Sequence, residues 1–177
     1  YDYTDKQGGF LFRKIRWQTP QGKSFTWKHQ EGGAWVKGRG KHPPVLYNLK
    51  AVAGADEVYL VEGEKDVETL RALGLVATSP PDGASSKWLE QYTQALEGKS
   101  VYIIQDNDEP GKAFAQKAAG ALLGAAKCVK VIDLTQEWET LPEHGDATDA
   151  YQRAPDGFTL KRGALVAITS DFSPQNI

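Results

Sequence analysis

The chain has 177 residues, 40% hydrophobic and 25% charged, with a formal net charge of −2, which is the make-up of an ordinary globular protein with one good core and room for a small satellite. No apolar run approaches the ~18 residues of a membrane span and no signal-peptide pattern opens the chain, so no membrane partner is expected and a cytoplasmic setting is. A single cysteine, Cys128, rules out an internal disulfide framework, and with three scattered histidines (His29, His42, His144) it cannot be assembled into a structural zinc site.

No methionine is present, so the chain reads as a piece of something larger or as a processed product. Its charge is split. Residues 1–50 carry ten Lys or Arg against three acids, a net of +7, and the remainder carries eleven basic and twenty acidic residues, a net of −9. A basic part joined to an acidic part points to nucleic-acid interaction.

Residues 1–44 read as a basic, β-rich unit. Phe10–Trp17 has strand character, 19–23 is a turn, Ser24–Lys28 is the returning strand, and a second turn at 31–33 leads to a strand at Ala34–Lys37. Arg13, Lys14, Arg16, Lys23 and Lys28 are its candidate phosphate contacts. Trp17, Phe25 and Trp27 suit either stacking on single-stranded bases or a small core against the rest of the chain. Lys41-His-Pro-Pro44 marks the boundary, and 45–56 reads as a connecting helix.

From 57 to 155 the pattern alternates: strand 58–61, helix 64–73, strand 75–78, helix 86–96, strand 101–105, a helix from Pro110 to about Gly124, strand 128–133, an irregular loop holding Trp138, and a short helix near 147–153. Leu165–Thr169 is a candidate further strand inside a C-terminal extension, 156–177, that otherwise reads as linker. Repeated βαβ units predict an α/β fold with a mostly parallel sheet between helices. The runs 58–61 and 101–104 are apolar at nearly every position, as strands buried on both faces are.

Both runs end abruptly in carboxylates: Glu62-Gly-Glu-Lys-Asp66 and Asp106-Asn-Asp108. In a parallel sheet the working site lies beyond the carboxyl ends of the strands, so Glu62, Asp106 and Asp108 should converge there. Extended geometry would turn Asp106 and Asp108 to one side, and Asp66 lies one helical turn past Glu62. Gly63 and Gly111 are read as sharp-turn positions. Carboxylates gathered without matching cations favour a hard divalent ion, Mg²⁺ or Mn²⁺. Lys65 and Lys112, beside these motifs, are either nucleotide contacts or solvated helix starts.

Together these motifs resemble the TOPRIM domain, shared by bacterial-type primases, topoisomerases and some nucleases. Glu62-Gly-Glu-Lys-Asp66 and Asp106-Asn-Asp-Glu-Pro-Gly111-Lys112 are most similar to primases of phages and mobile elements. The basic β unit and Leu46-Tyr-Asn-Leu49 resemble the subdomain that precedes TOPRIM in those enzymes. His144-Gly-Asp-Ala-Thr-Asp149 resembles their third acidic motif with glycine in place of lysine, and Asp146 is the residue that aligns. The resemblance implies a Rossmann-like TOPRIM fold, with Glu62, Asp106 and Asp108 catalytic and Glu62, Asp66, Asp106, Asp108 and Asp146 as the Mg²⁺ or Mn²⁺ site. It implies nucleotide contacts from Lys65 and Lys112, and nucleic-acid contacts from Arg13, Lys14, Arg16, Trp17, Lys23 and Lys28. The implied activity is DNA-dependent RNA priming: NTPs joined on a single-stranded DNA template, beside a replicative helicase, fused or separate, and a zinc-binding module that this sequence does not contain. A TOPRIM nuclease or topoisomerase piece and a non-catalytic nucleic-acid-binding module are the alternatives.

Overall fold

The computed structural model describes residues 1–84, 86–136 and 140–153, together with the strand 165–167. Trp138 and all of 156–177 except that strand lie outside the described residues.

Four antiparallel strands form the N-terminal sheet in the order β1-β2-β3-β4: β1 Asp2–Thr4, β2 Phe10–Thr19, β3 Gly22–Glu31 and β4 Ala34–Lys37. β1 is an addition to the sequence reading; three residues are too few to show a period, and pairing with β2 decides them. The second sheet has the order β6-β5-β7-β8-β9, with β5 Glu57–Leu60, β6 Ala77–Thr78, β7 Ser100–Gln105 and β8 Cys128–Asp133 parallel. The last strand, β9 Leu165–Ala167, pairs antiparallel with β8 at its edge.

The parallel sheet is covered on both faces, as its apolar runs require. Val101 and Ile103 of β7 meet α1 (Leu49–Ala53), α3 (Glu90–Leu96) and α4 (Glu109–Leu122) through Val52, Leu96, Phe114 and Ala118. Tyr102 and Ile104 face the other way, onto Val67 and Leu70 of α2 (Glu64–Ala72), Ala147 and Ala150 of α5 (Ala147–Arg153), and Tyr3 and Phe12 of the N-terminal sheet. The β unit thus contributes to one of the two cores. Each fully buried side chain of this size is worth roughly 1.5–3 kcal/mol, and the burial of Tyr3 and Phe12 in that shared core holds the N-terminal sheet onto the α/β body.

Local chemistry sets the element ends. Asp108 caps α4, its Oδ1 accepting from the Gly111 N–H at 2.7 Å, with Pro110 in the first turn. Asp146 and Asp149 exchange backbone-to-carboxylate hydrogen bonds of 2.9 and 3.2 Å, a capping box that starts α5. The expected connecting helix over 45–56 shrinks to Leu49–Ala53. Asn48 sits in the left-handed region (φ 58°), and Tyr47 is docked beside β6, its N–H bonded to the Ser79 carbonyl and its own carbonyl accepting from Thr78 Oγ1.

Candidate active site

β5 and β7 are neighbours in register, with Leu60 opposite Ile103. The chain leaves β5 for β6 on one side and returns to β7 on the other, so the strand order reverses between them. The crevice at such a reversal is where open α/β sheets bind ligands. Glu62 lies just past β5 and Asp106 immediately past β7, and both line one cleft of about 490 Å³. Asp66 and Asp146 line the same cleft from α2 and the start of α5. The opposite wall is the N-terminal sheet, which presents Arg16, Lys23 and Phe25.

Asp106 carries the strongest signature. Burial first, then the charges of Asp66, Glu62, Asp146 and Asp108, push its carboxyl up to about 8. Burial followed by Asp108 also raises Glu62, against a hydrogen bond from the Ala84 N–H and the charge of Lys23. Asp66 is raised to about 6, by burial and then Asp146, although Thr148 donates to it from both N–H (3.1 Å) and Oγ1 (2.7 Å). Two carboxylates move the other way. For Asp146 the cost of burial is outweighed by Lys65 Nζ at 2.5 Å, and for Asp108 by His144 Nδ1 at 2.9 Å and the Gly111 N–H.

All five are hard oxygen donors, the ligand type of Mg²⁺ and Mn²⁺. Asp106 has no ion-pair partner among the described residues, and the upward push on it is what a doubly charged ion relieves. The residues therefore fit such an ion in chemistry. As they stand, no three His, Cys, Asp or Glu side chains among the described residues are grouped to hold one. Lys65 engages Asp146, while His144 and Gly111 engage Asp108.

Several expected placements change. Asp108 does not line the cleft with Asp106. Strand geometry ends at Gln105, so the alternation that would align the two carboxylates does not apply, and Asp108 turns into its capping role. Gly63 needs no special conformation, since its backbone is extended (φ −131°, ψ 157°). Gly111 is required for space rather than for a turn: a Cβ there would stand 2.8 Å from the Asp106 Cβ and carbonyl oxygen. Lys112 pairs with Glu109 on the exposed first turn of α4, away from the cleft. Lys65 lines the cleft, with its ammonium on Asp146.

The basic residues divide between two faces of the N-terminal sheet. Lys14, Arg16 and Lys23 point inward, whereas Arg13, Trp17 and Lys28 point away, Arg13 in an ion pair with Asp2. Lys14 is not a free phosphate contact. It is 6% exposed, with Nζ 2.7 and 3.0 Å from the Glu64 oxygens and 2.7 Å from the Pro81 carbonyl. Trp27 is partly buried, packing against Tyr3 and Phe12, and lines the cleft together with the more exposed Phe25.

The sequence reading missed Glu64, Tyr3 and the 81–84 loop as parts of this site. A glutamate one residue from a glycine at a helix start gives no sign of burial, because its partners stand 50 and 61 residues away. His144 was visible within its motif, but its partner Asp108 was not.

No protein-family model matches the chain, and no curated protein does. Solved structures do. The primase fragment of the bacteriophage T7 primase-helicase protein is 17% identical, over 88% of this chain and 58% of that one, with a TM-score of 0.53. A chain from the bacteriophage T7 lagging-strand DNA polymerase structure, in which primase domains are bound to an RNA/DNA hybrid and dTTP, gives 20%, 88% and 70%, with a TM-score of 0.55. The Aquifex aeolicus primase, comprising zinc-binding and RNA polymerase domains, gives 19%, 86% and 36%, with a TM-score of 0.56. At these identities the shared property is the fold, and it is the α/β fold with a preceding β unit that the primase resemblance implies.

Proposed function

We propose that this chain is the catalytic core of a DNA-dependent RNA primase, a nucleotidyltransferase that joins NTPs on single-stranded DNA with Mg²⁺ or Mn²⁺. The observation that carries the reading is the two-sided cleft: Arg16 and Lys23 on one wall, and Glu62, Asp106, Asp66 and Asp146 on the other. A pocket for a polyanion alone has no use for four carboxylates, and a cation site alone has no use for the basic wall. The primase names of the structures sharing this fold support the same reading.

Asp106 and Glu62, with Asp66 and Asp146 beside them, are the residues that would hold the ion. When bound, such an ion favours ionisation of an attacking 3′-hydroxyl and neutralises charge developing at the α-phosphate and pyrophosphate. Burial and the neighbouring carboxylates push Asp106 up to about 8, so to serve as a ligand it would have to release a proton near neutral pH. Arg16 and Lys23 take nucleotide or template phosphates, and Phe25 offers its ring to a base. A helicase, fused or separate, and a zinc-binding module are the partners this core would work with in the cell.

The test is primer synthesis on single-stranded template with labelled NTPs and Mn²⁺ or Mg²⁺. Wild type makes dinucleotides, whereas Asp106→Ala and Glu62→Ala do not. Template cleavage without incorporation would replace this reading with a nuclease, and binding with neither activity would leave a recognition module.

A further inference from the structure

The carboxylates that line the cleft fall into two sets according to what they already hold. Asp146 is engaged at both oxygens, Oδ1 accepting from the Asp149 N–H at 2.9 Å and Oδ2 from Lys65 Nζ at 2.5 Å. Asp66, which is buried, accepts at one oxygen from both the N–H and the Oγ1 of Thr148. The charges of Asp66 and Asp149 act on the Lys65 ammonium together with that of Asp146, so one cation serves the group. Glu62 and Asp106 have nothing comparable. Among the described residues neither has an ion-pair partner; Glu62 accepts from the Ala84 N–H, and the Asp106 carboxyl accepts no hydrogen bond.

Lys65 stands in a poor place for its own helix. It is the second residue of α2, where the helix dipole favours an anion and disfavours a cation. Glu64, just before it, is anchored by Lys14 and Tyr3, which fixes the first turn of α2 and with it the root of the lysine stem. The helix gains nothing from this charge, whereas the two acids across the turn gain a counter-ion. An ammonium bonded to Asp146 is not free for a nucleotide phosphate. It also repels a divalent ion from the oxygens it occupies.

We infer, on the footing of the ion site proposed above, that the cleft takes one divalent ion, on Glu62 and Asp106, and that the Lys65 ammonium fills the place of a second on Asp66 and Asp146. The chain thus carries half of its counter-charge covalently, and only the other half is exchangeable.

The experiment counts bound Mn²⁺ on the full chain by electron paramagnetic resonance of the free ion, without nucleotide or template. Wild type should bind one ion, and Asp106→Asn none at the same concentration. Lys65→Met should bind two, because the vacated carboxylates become a second site, and Lys65→Met/Asp146→Asn should return to one. Gain of an ion is not what a damaged fold produces. Lys65→Arg, which keeps the charge, should stay at one, and so should Asp146→Asn, whose lost carboxylate belongs to the ammonium. Two ions on wild type would overturn the inference, as would a single ion on folded Lys65→Met. Loss of the wild-type ion in Asp146→Asn would overturn it too, and that variant decides the matter should Lys65→Met not fold. No ion on wild type would instead remove the proposed ion site itself, so the two failures are read apart.

Discussion

Lys14 Nζ lies 2.7 Å from Glu64 Oε1, joining the middle of β2 to the first residue of α2, two positions past Glu62. Tyr3 Oη donates to the same carboxylate at 2.5 Å, and Nζ also donates to the Pro81 carbonyl. One buried network therefore ties the N-terminal sheet to the loops after β5 and β6, and so spaces the two walls of the cleft.

Breaking that network from one side should be costly. Lys14→Met leaves Glu64 buried without its cation and should lose about 3–5 kcal/mol. Lys14→Met/Glu64→Gln should lose less than Lys14→Met alone, because the uncompensated charge is gone and Gln still accepts from Tyr3. Urea unfolding of both, with Glu64→Gln, gives the coupling; strictly additive losses would show that the two side chains do not interact.

Asp106 makes stability depend on pH. Its folded carboxyl titrates at about 8, against about 3.9 when unfolded. Between those values the folded chain binds more protons than the unfolded one, so ion-free stability should fall as pH rises from 4 to 8. Asp106→Asn should then raise the midpoint in EDTA by several degrees at pH 8 and by little at pH 4. Mn²⁺ should give wild type a similar gain at pH 8 and the variant almost none. A wild-type midpoint indifferent to Mn²⁺ would remove the ion from this site.

Gly111→Ala tests the packing behind the carboxylate. The new methyl would stand 2.8 Å from backbone and side-chain atoms of Asp106 and 3.0 Å from Asp108 Oδ1. The expected result is a loss of roughly 1–3 kcal/mol, with Mn²⁺ affinity falling as Asp106 is displaced. Calorimetric titration measures the second effect apart from the first, and unchanged affinity would show that Asp106 does not need this support.

Arg16 and Lys23 are exposed, so Gln at either position should change stability by less than about 0.5 kcal/mol. Nucleotide and template affinity should drop, and the double variant should lose about 1.4 from the salt slope of single-strand binding. Equal slopes in variant and wild type would remove these residues from the phosphate path.

The elements of the α/β body were legible because their signals are local. Apolar runs closed by carboxylates marked β5 and β7, and α5 begins at the expected residue because Asp146 and Asp149 carry their own cap. β6 and α3 came out shorter than read, since the residues before them dock against neighbours instead of continuing the period.

The sequence by itself determined which residues stand at the strand tips: a strand-helix alternation must end its strands somewhere, and here it ends them on Glu62 and Asp106. Which tips are neighbours, and where each charge points, only the tertiary structure decided. β5 lies beside β7 through pairing of residues more than forty apart, and Asp108 faces His144 because the strand stops short of it. β2 buries Lys14 because the distant carboxylate of Glu64 meets it, while Arg16, on the same face without such a partner, stays exposed at the cleft. Those are long-range electrostatic and packing choices, and no window of adjacent residues contains both partners.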